Sequence, residues 1–221
     1  MRSPVLFLIA ILSLSSLCYG GSELESHICV CHRAEKEITI DGEISAEEWS
    51  GAQAIQLIDV VNGRQPRKPT RVRLLWNHEF LYLAFECTDN QINAERTEYN
   101  SAIYKEEVVE AFIDPDGDGK TYLEIEVSPL NTVLHYDIRY NPEGKRLYYG
   151  RVGQQIISAV KQYEGGWDVE IAIPMAEFAS APTLPPFAGQ SWRINLYRID
   201  RPKDEEREDR KSTRLNSSHY S

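Results

Sequence analysis

Short segments in which apolar and polar residues alternate follow one another along the chain. An alternation with a period of two places one set of side chains on each face of a β-strand. Most segments are bounded by Gly, Pro, Asn or Asp, and their spacing is typical of an antiparallel sandwich. The predicted strands span residues 28–33, 37–40, 70–76, 80–88, 106–113, 121–128, 133–140, 154–162, 167–173 and 191–199.

The predicted fold class is all-β: an antiparallel β-sandwich, immunoglobulin-like or jelly-roll-like, with one or two short helices. One helix is expected after Ser45, whose hydroxyl can cap its first turn. We expect the apolar face of each strand to build the core and the polar face to meet water or a ligand. In VLHYDIRY this places Leu134 and Ile138 inside and leaves His135 and Asp137 outside. The expected core also contains the four tryptophans, Trp49, Trp76, Trp167 and Trp192.

The hairpin predicted over residues 104–131 carries the most distinctive side chains. Glu110 lies in the middle of its apolar first strand, and Glu124 and Glu126 share one face of the second strand. A carboxylate in an apolar strand needs a partner for its charge, so Glu110 is either a structural anchor or a ligand contact. Tyr104 precedes it by six residues, where its ring either projects over a ligand or packs as an ordinary loop tyrosine.

Both ends of the chain differ from the region between them. Arg2 and the apolar run at 4–17 have the layout of a secretory signal peptide, predicted at residues 1–20. That run is too short for a membrane span, and no later segment is apolar enough for one. We therefore expect an exported protein, secreted, periplasmic or held at the cell surface, with one domain at 21–206. Residues 207–221 lack periodicity and are predicted to be a non-native or disordered tail. The domain before this tail is then expected to be truncated at its C-terminus.

The net charge narrows the range of partners. The full chain carries −10, and removal of residues 1–20 leaves 23 basic and 34 acidic residues, a net charge of −11. This excess of acid argues against nucleic acid or an anionic membrane as a partner. A neutral ligand or a cation is compatible with it.

Three cysteines follow the predicted signal peptide. In an exported protein an odd number indicates one disulfide and one free thiol. Cys29 and Cys31 point to the same side of their strand, so either one can pair with Cys87. The run Cys-Val-Cys-His also suggests a metal site, but no second cluster with ligand spacing accompanies it.

The acidic residues raise two further hypotheses, calcium binding and catalysis. The turn DPDGDG resembles the start of an EF-hand loop, but its twelfth position is Ile125, where a bidentate Glu is required, so a polar hairpin turn is favoured. Glu110 with Glu124 or Glu126 is a candidate for the carboxylate pair of a glycosidase. Nothing marks two of the many acidic residues as an acid and a nucleophile, and no activated Ser or Cys motif is present, so we expect no catalysis.

Five blocks of sequence resemble the family 9 carbohydrate-binding modules and follow the order seen in that family. They are DGEISAEEW at 41–49, VRLLWNHEFLYLAFECTD at 72–89, EEVVEAFIDPDGDGKTYLEIEVSPLNTV at 106–133, GGWDVEIAIPMAEF at 165–178 and SWRINLYRID at 191–200. The bacterial family 9-like branch of this DOMON-related group is the most similar, and the resemblance extends from residue 28 to residue 202. Five blocks in register make a specific signal, whereas a single block does not.

This resemblance implies a β-sandwich that binds sugars, often at the ends of glycan chains, without catalysis. Tyr104 falls on the position of an aromatic residue that stacks on the sugar, and Glu110 on that of a glutamate that contacts hydroxyls. Glu126 stands where sugar-binding members have an arginine. A second stacking tryptophan lies near the family's C-terminus, a part that this chain is expected to lack. The family also implies structural calcium, whose ligands are not assigned.

Non-catalytic binding of a glycan or oligosaccharide is therefore the expected function, in support of a glycoside hydrolase. The candidate carbohydrate-binding residues are Tyr104, Glu110, Glu126, Arg193 and Asn195, the last three because they lie on polar strand faces. One alternative is a haem-binding, DOMON-type electron-transfer domain, with Met175 and either His78 or His135 as axial ligands. Another alternative is an accessory interaction module without affinity for glycans.

Overall fold

The computed structural model describes residues 6–11, 27–151 and 155–201. The tail predicted at 207–221 lies outside these residues, and so does the signal peptide predicted at 1–20 apart from its stretch 6–11. Regular structure in the described part of the chain is nearly all β-strand, in agreement with the predicted fold class.

Twelve strands run through the described residues. They are β1 (Leu6–Ile11), β2 (His27–Arg33), β3 (Ile55–Gln56), β4 (Thr70–Trp76), β5 (Phe80–Thr88), β6 (Val108–Asp114), β7 (Thr121–Val127), β8 (Val133–Tyr140), β9 (Arg146–Gly150), β10 (Ile157–Tyr163), β11 (Gly166–Pro174) and β12 (Ser191–Ile199). The predicted bounds of β4, β5, β8 and β12 are confirmed. The strand predicted at 37–40 does not form, and β9 was not predicted.

Helical structure is limited to two short pieces in the described residues. They are the 3-10 helices Ile103–Lys105 and Met175–Glu177. Ser45 caps a turn instead of the expected helix: its hydroxyl oxygen accepts the backbone N–H of Glu48 at 3.1 Å, but the chain leaves the helical path a few residues later.

The strands form two sheets that pack face to face, which confirms the predicted β-sandwich. One sheet, here called the covered sheet, has the strand order β10-β11-β5-β4-β2, with β3 beside β4. The other, here called the open sheet, has the order β12-β6-β7-β8-β9. β1 lies between β2 and β12 and joins the two sheets along one edge. Neighbouring strands are antiparallel except for the parallel pairs β2–β4 and β1–β12.

The main core fills the space between the two sheets. Alternate residues of both sheets supply it, among them Val72, Leu74, Leu83, Phe85, Val169 and Ile171 from the covered sheet and Val109, Ala111, Ile113, Leu123, Ile125 and Ile194 from the open sheet. Trp76, Trp167 and Trp192 are buried in this core, as predicted. Because burial of each large apolar side chain contributes about 1.5–3 kcal/mol, this interface is the main source of stability.

Much of the outer face of the covered sheet lies beneath residues 34–52. Trp49 packs there against Leu75 in a second apolar cluster. Its indole Nε1 donates to the buried carboxylate of Glu170 at 2.8 Å, and the same carboxylate accepts the backbone N–H of Gly42 at 2.9 Å. A Cβ at Gly42 would come within 2.9 Å of the β10 backbone, so only glycine permits this close approach. Residues 34–52 therefore cover much of this outer face, while its part around Arg71 and Glu86 stays accessible.

The side chains of β8 point to the opposite sides of the sheet from those predicted. Glu126 of β7 lies directly opposite Leu134, and Ile125 lies opposite His135. Directly opposite residues of an antiparallel pair point to the same side of the sheet. Leu134 therefore lies on the outer face, whereas His135 points into the core, where burial lowers its pKa to about 4. The placement of His135 and Asp137 in water is wrong, because both are buried.

The three cysteines at 29, 31 and 87 are free and buried. Cys87 lies opposite Thr70 at the start of β4, whereas β2 meets β4 only at the opposite end, near Leu75. Two strand spacings of about 4.8 Å, added to this offset, exceed the Cα separation of about 7 Å that a disulfide allows. The predicted disulfide of Cys87 with Cys29 or Cys31 is therefore absent from the described residues.

Arg198 of β12 occupies a core position between the sheets and is 2% exposed. Its guanidinium donates to the carboxylate of Asp89, which follows β5, and lies over the ring of Trp167, 5.2 Å from the ring centroid. Glu107, which precedes β6, lies 3.7 Å from the same guanidinium. Lys68 donates to Asp89 at 2.8 Å. Charged groups of both sheets thus meet at one buried point.

Replacement of Arg198 by methionine should destabilise the fold by about 3–5 kcal/mol, because the buried carboxylates of Asp89 and Glu107 then lose the buried cation between them and keep only the more exposed Lys68 nearby. Denaturant-induced unfolding at neutral pH measures this loss. Arg71→Met is the matched control, since the Arg71 side chain is 56% exposed in its salt bridge with Glu86 and such pairs contribute less than about 1 kcal/mol. If Arg198→Met lowers the free energy of unfolding by no more than the control does, the buried contacts of Arg198 do not stabilise the fold.

Candidate functional site

The outer face of the open sheet, here called the concave face, remains accessible. A cavity of about 1450 Å³ lies over it. The five residues predicted from the sequence all line this cavity: Tyr104, Glu110, Glu126, Arg193 and Asn195. The sheet thus brings together side chains from β6, β7 and β12 with a residue of the loop before β6.

Three glutamates, here called the glutamate floor, lie side by side on the concave face. Glu110 of β6 lies directly opposite Glu126 of β7, and Glu124 follows on the same face of β7. Phe112 of β6 lies opposite Glu124 on one side and Asn195 of β12 on the other. Directly opposite residues have Cβ atoms about 5 Å apart, so the carboxyl groups lie close to one another.

Burial and mutual repulsion prevent the glutamate floor from being fully ionised. Burial, together with the negative charges of Glu110 and Glu124, raises the pKa of Glu126 to about 10. Glu126 is only 1% exposed, and its Oε2 has no hydrogen-bond partner among the described residues. At neutral pH it is an uncharged carboxyl group that can donate one hydrogen bond beside the carboxylate of Glu110.

Tyr104 lies at one end of the concave face, on the first 3-10 helix. Ile103 anchors this helix, because it is buried on the outer side of the open sheet with Val108, Leu134 and Ile199. The ring of Tyr104 is 42% exposed beside this anchor. The unexpected facing of β8 therefore has a structural consequence: Leu134 supports the turn that presents Tyr104.

The other end of the concave face, here called the hairpin end, is formed by β9 and the turn after β6. Arg146 and Tyr148 of β9 line the cavity there, beside Tyr136 and Tyr140 of β8. Sequence analysis missed these four residues, because it did not predict β9 and it placed the apolar face of β8 in the core. The Asn-Pro-Glu-Gly run at 141–144, followed by the alternating RLYYG, is the signal that indicates this hairpin.

In the acidic turn after β6, backbone N–H groups of the same turn donate hydrogen bonds to the carboxylate of Asp114. The two carboxylate oxygens of Asp114 accept backbone N–H groups of Gly117 and Gly119, each at 2.9 Å. Both glycines have positive φ angles, 72° and 70°, which are typical of tight turns. Asp116 and Asp118 are exposed, with oxygens within 4.8 Å of those of Asp114. The prediction of a polar hairpin turn is confirmed.

A second acidic group lies at the Arg198 network. Asp89, Glu107 and Asp200 have carboxylate oxygens within 4.8 Å of one another. Lys68 donates to Asp89 and Asp200 at 2.8 and 2.9 Å, and Arg198 supplies a second positive charge. Cationic side chains thus occupy the place that a calcium ion would take, and this group does not fit one. Structural calcium stays a prediction from the family resemblance.

The residues of the haem alternative do not face one cavity. Met175 is buried in the main core, and His78 is exposed in the turn between β4 and β5. His135 lies between the sheets. No histidine or methionine is among the described residues that line the concave face. None of the three candidate axial ligands therefore faces the cavity over the concave face.

A β-sandwich with an open concave sheet, lined by tyrosines and carboxyl groups, has the architecture of a carbohydrate-binding domain. The profile of the family described as carbohydrate family 9 binding domain-like matches residues 40–215. The chain belongs to this family, which confirms the resemblance found in its sequence.

Two relatives show how far the similarity extends. An extracellular protein of Arthroderma benhamiae is 32% identical over 159 residues, which cover 65% of this chain and 69% of that protein. Endo-1,4-beta-xylanase A of Thermotoga neapolitana is 28% identical over 169 residues, which cover 76% of this chain but 15% of the enzyme. The chain thus spans only a small part of the xylanase.

Two solved structures share the fold. A protein from Bacteroides uniformis has a TM-score of 0.62 at 14% identity, covering 84% of this chain and 86% of that one. A family 9 carbohydrate-binding module from Caldicellulosiruptor kristjanssonii, in complex with cellotriose, has a TM-score of 0.52 at 19% identity, covering 77% of this chain and 76% of that one. At these identities the likeness shows the fold alone.

Glu126→Gln should remove a pH dependence of stability, because the amide copies the shape of the protonated carboxyl group. The folded wild type holds a proton on Glu126 between its ordinary pKa of 4.5 and its raised pKa of about 10, whereas the unfolded chain does not. The stability of the wild type therefore falls as the pH rises through this window. At pH 9 the variant should be more stable by at least about 1.4 kcal/mol, the equivalent of one pKa unit.

Urea unfolding of wild type and variant between about pH 5 and about pH 9, a range that lies between the two pKa values of Glu126, measures this difference. Glu143→Gln, in the exposed turn between β8 and β9, is the control and should keep the wild-type pH profile. An identical pH profile for Glu126→Gln and wild type would show that Glu126 is not held protonated.

Proposed function

We propose that the concave face binds an oligosaccharide without catalysing a reaction. The observation that carries this proposal is the contrast between the two outer faces: residues 34–52 cover much of one, whereas the other exposes aromatic rings beside carboxyl groups. Sugar recognition uses this combination, since rings cover the apolar face of a pyranose and carboxylates accept hydrogen bonds from its hydroxyls. Family membership supports the same function, as does the cellotriose bound to the Caldicellulosiruptor neighbour.

Each candidate has a distinct role in this proposal. Tyr104 stacks on the sugar at the rim of the cavity, where its ring is exposed. Glu110 accepts hydrogen bonds from two hydroxyls, while the protonated Glu126 beside it donates one. Arg193 and Asn195 contact the ligand from β12, at the side of the glutamate floor.

The carboxyl groups of the concave face serve binding in this proposal, not hydrolysis. The family to which the chain belongs consists of binding domains. The segment shared with the xylanase makes up 15% of that enzyme, so the enzyme's activity is not transferred to it. Burial and repulsion between the glutamates are enough to explain why Glu126 is protonated. Its raised pKa is therefore no sign of a catalytic acid paired with a nucleophile.

We further infer that the domain acts outside the cell and together with a glycoside hydrolase. The layout of residues 1–20 and the extracellular relative support export. The similar segment within a xylanase supports a hydrolase as partner. None of the helices in the described residues is long and apolar enough to cross a membrane.

Tyr104→Ala should weaken binding of cellotriose about tenfold or more, equal to about 1.4 kcal/mol, because the stacking surface is lost. Isothermal titration calorimetry measures the affinity. The midpoint of thermal unfolding should change little, because Tyr104 is 42% exposed. The 3-10 helix that carries it is held by the buried side chain of Ile103, which the variant keeps.

Tyr149→Ala is the matched control for this variant. Tyr149 also belongs to the open sheet and is 50% exposed, but it points away from the concave face, which Tyr148 lines. The Tyr149→Ala variant should bind cellotriose with the affinity of the wild type. Wild-type affinity in Tyr104→Ala would refute the stacking role. Failure of the wild type in a broad glycan screen would refute the proposed function and favour an interaction module without glycan affinity.

A further inference from the structure

Three cations lie together at one end of the concave face. They are Lys120, Arg146 and Arg193, which line the hairpin end beside Asp114 and Asp118, whereas the glutamate floor occupies the middle of the face. No salt bridge joins any of these cations to a carboxylate of the described residues. In a chain with a net charge of −10, such a group of cations without acidic partners is informative.

Arg146 is the most firmly oriented of the three cations. Its Nε donates to the hydroxyl of Tyr140 at 2.9 Å, and one Nη donates to the hydroxyl of Tyr148 at 3.3 Å. The guanidinium also lies 5.5 Å from the centroid of the Tyr140 ring. The two phenols hold the guanidinium without neutralising its charge, and they leave N–H donors for a further acceptor.

The acidic groups nearest the hairpin end are engaged with their own backbone. Asp114 directs both carboxylate oxygens to N–H groups of its turn. Asp118 accepts the N–H groups of Lys120 and Thr121 at 2.6 and 3.2 Å. Burial raises the pKa of Glu124, and the nearby charge of Arg146 acts in the opposite direction. None of these carboxylates forms a salt bridge with Lys120, Arg146 or Arg193, so the N–H donors of the three cations remain available to an anion.

We propose that the hairpin end binds the carboxylate of a uronic acid residue within the oligosaccharide, and that Arg146 recognises it. A planar guanidinium binds a carboxylate through two parallel N–H···O bonds, an arrangement that a neutral hydroxyl cannot match. Tyr140 and Tyr148 hold the guanidinium in place, and Lys120 and Arg193 add positive charge. This inference rests on the proposed function and narrows its ligand class to acidic glycans.

The glutamate floor limits where an acidic sugar can bind. A carboxylate near Glu110 and Glu124 meets like charge and loses its hydration, which is unfavourable. The hairpin end is therefore the part of the concave face that accepts the acidic residue. The neutral residues of the same oligosaccharide then extend toward Tyr104.

Three matched ligands test the inference by isothermal titration calorimetry. They are cellotriose, the same trisaccharide with one glucose replaced by glucuronic acid, and the methyl ester of that acid. The ester has nearly the same size as the acid but no charge. At low salt the wild type should bind the acid about tenfold more tightly than the ester, as expected for a charged hydrogen-bonded pair. High salt should reduce this preference by screening.

Variants of Arg146 identify the group responsible. Arg146→Gln should bind the acid and the ester with equal affinity, and Arg146→Lys, which keeps the charge but not the planar fork, should retain only part of the preference. Arg64→Gln, in the exposed loop between β3 and β4, is the matched control and should keep the full preference.

The possible outcomes separate this inference from the proposed function. Equal binding of acid and ester by the wild type overturns the inference while neutral binding still supports the proposed function, and this comparison needs no variant. A preference that persists in Arg146→Gln also overturns the inference. If none of the three ligands binds to the wild type, both the inference and the proposed function fail.

Discussion

The buried contact of Arg198 with Asp89 and Glu107 is the interaction on which the arrangement of the two sheets depends. These residues come from β12, from the end of β5 and from the start of β6, so they join the covered sheet to the open sheet. A buried ion pair adds little net stability over an apolar replacement, but any packing that leaves one charge alone is strongly unfavourable. The group therefore selects one alignment of the sheets. Because Glu107 directly precedes β6, the same contact holds the start of the strand that carries Glu110.

Each outer face of the sandwich contains a buried carboxyl group, and the two groups differ in their hydrogen-bond partners. On the covered sheet, Glu170 is surrounded by donors, which include the indole of Trp49 and the N–H of Gly42. On the open sheet, Glu126 is buried to a similar degree but keeps one oxygen without a partner among the described residues. An unsatisfied buried polar group costs about 1–3 kcal/mol. The first arrangement stabilises a fold, whereas the second is one that a ligand can complete.

Local properties of the chain could be predicted from sequence, and properties that depend on register could not. The bounds of β4, β5, β8 and β12 follow from alternation between turn residues. The facing of β8 depends on the turn before it, where the N–H of Ser128 bonds to the carbonyl of Thr132 and Asn131 has a φ of 60°. A shift of one residue would invert both faces of the strand. In the site, polar strand faces and the family resemblance identify Glu110 and its neighbours, but Arg146 lies on a short edge strand that alternation alone does not reveal.

Together, β8 and β9 change the character of the concave face. β6 and β7 alone would present a row of carboxyl groups, with Tyr104 beside it. The rings of Tyr136 and Tyr140 extend the aromatic surface across β8, and Arg146 places a positive charge opposite the glutamate floor. A ligand that lies across the face therefore meets carboxyl groups at its middle and the guanidinium of Arg146 at the hairpin end. Electrostatic complementarity of this kind contributes more to specificity and orientation than to affinity. A uniformly neutral oligosaccharide gains no orientation from the charge of Arg146, whereas we expect one with a single acidic residue to place that residue at the hairpin end.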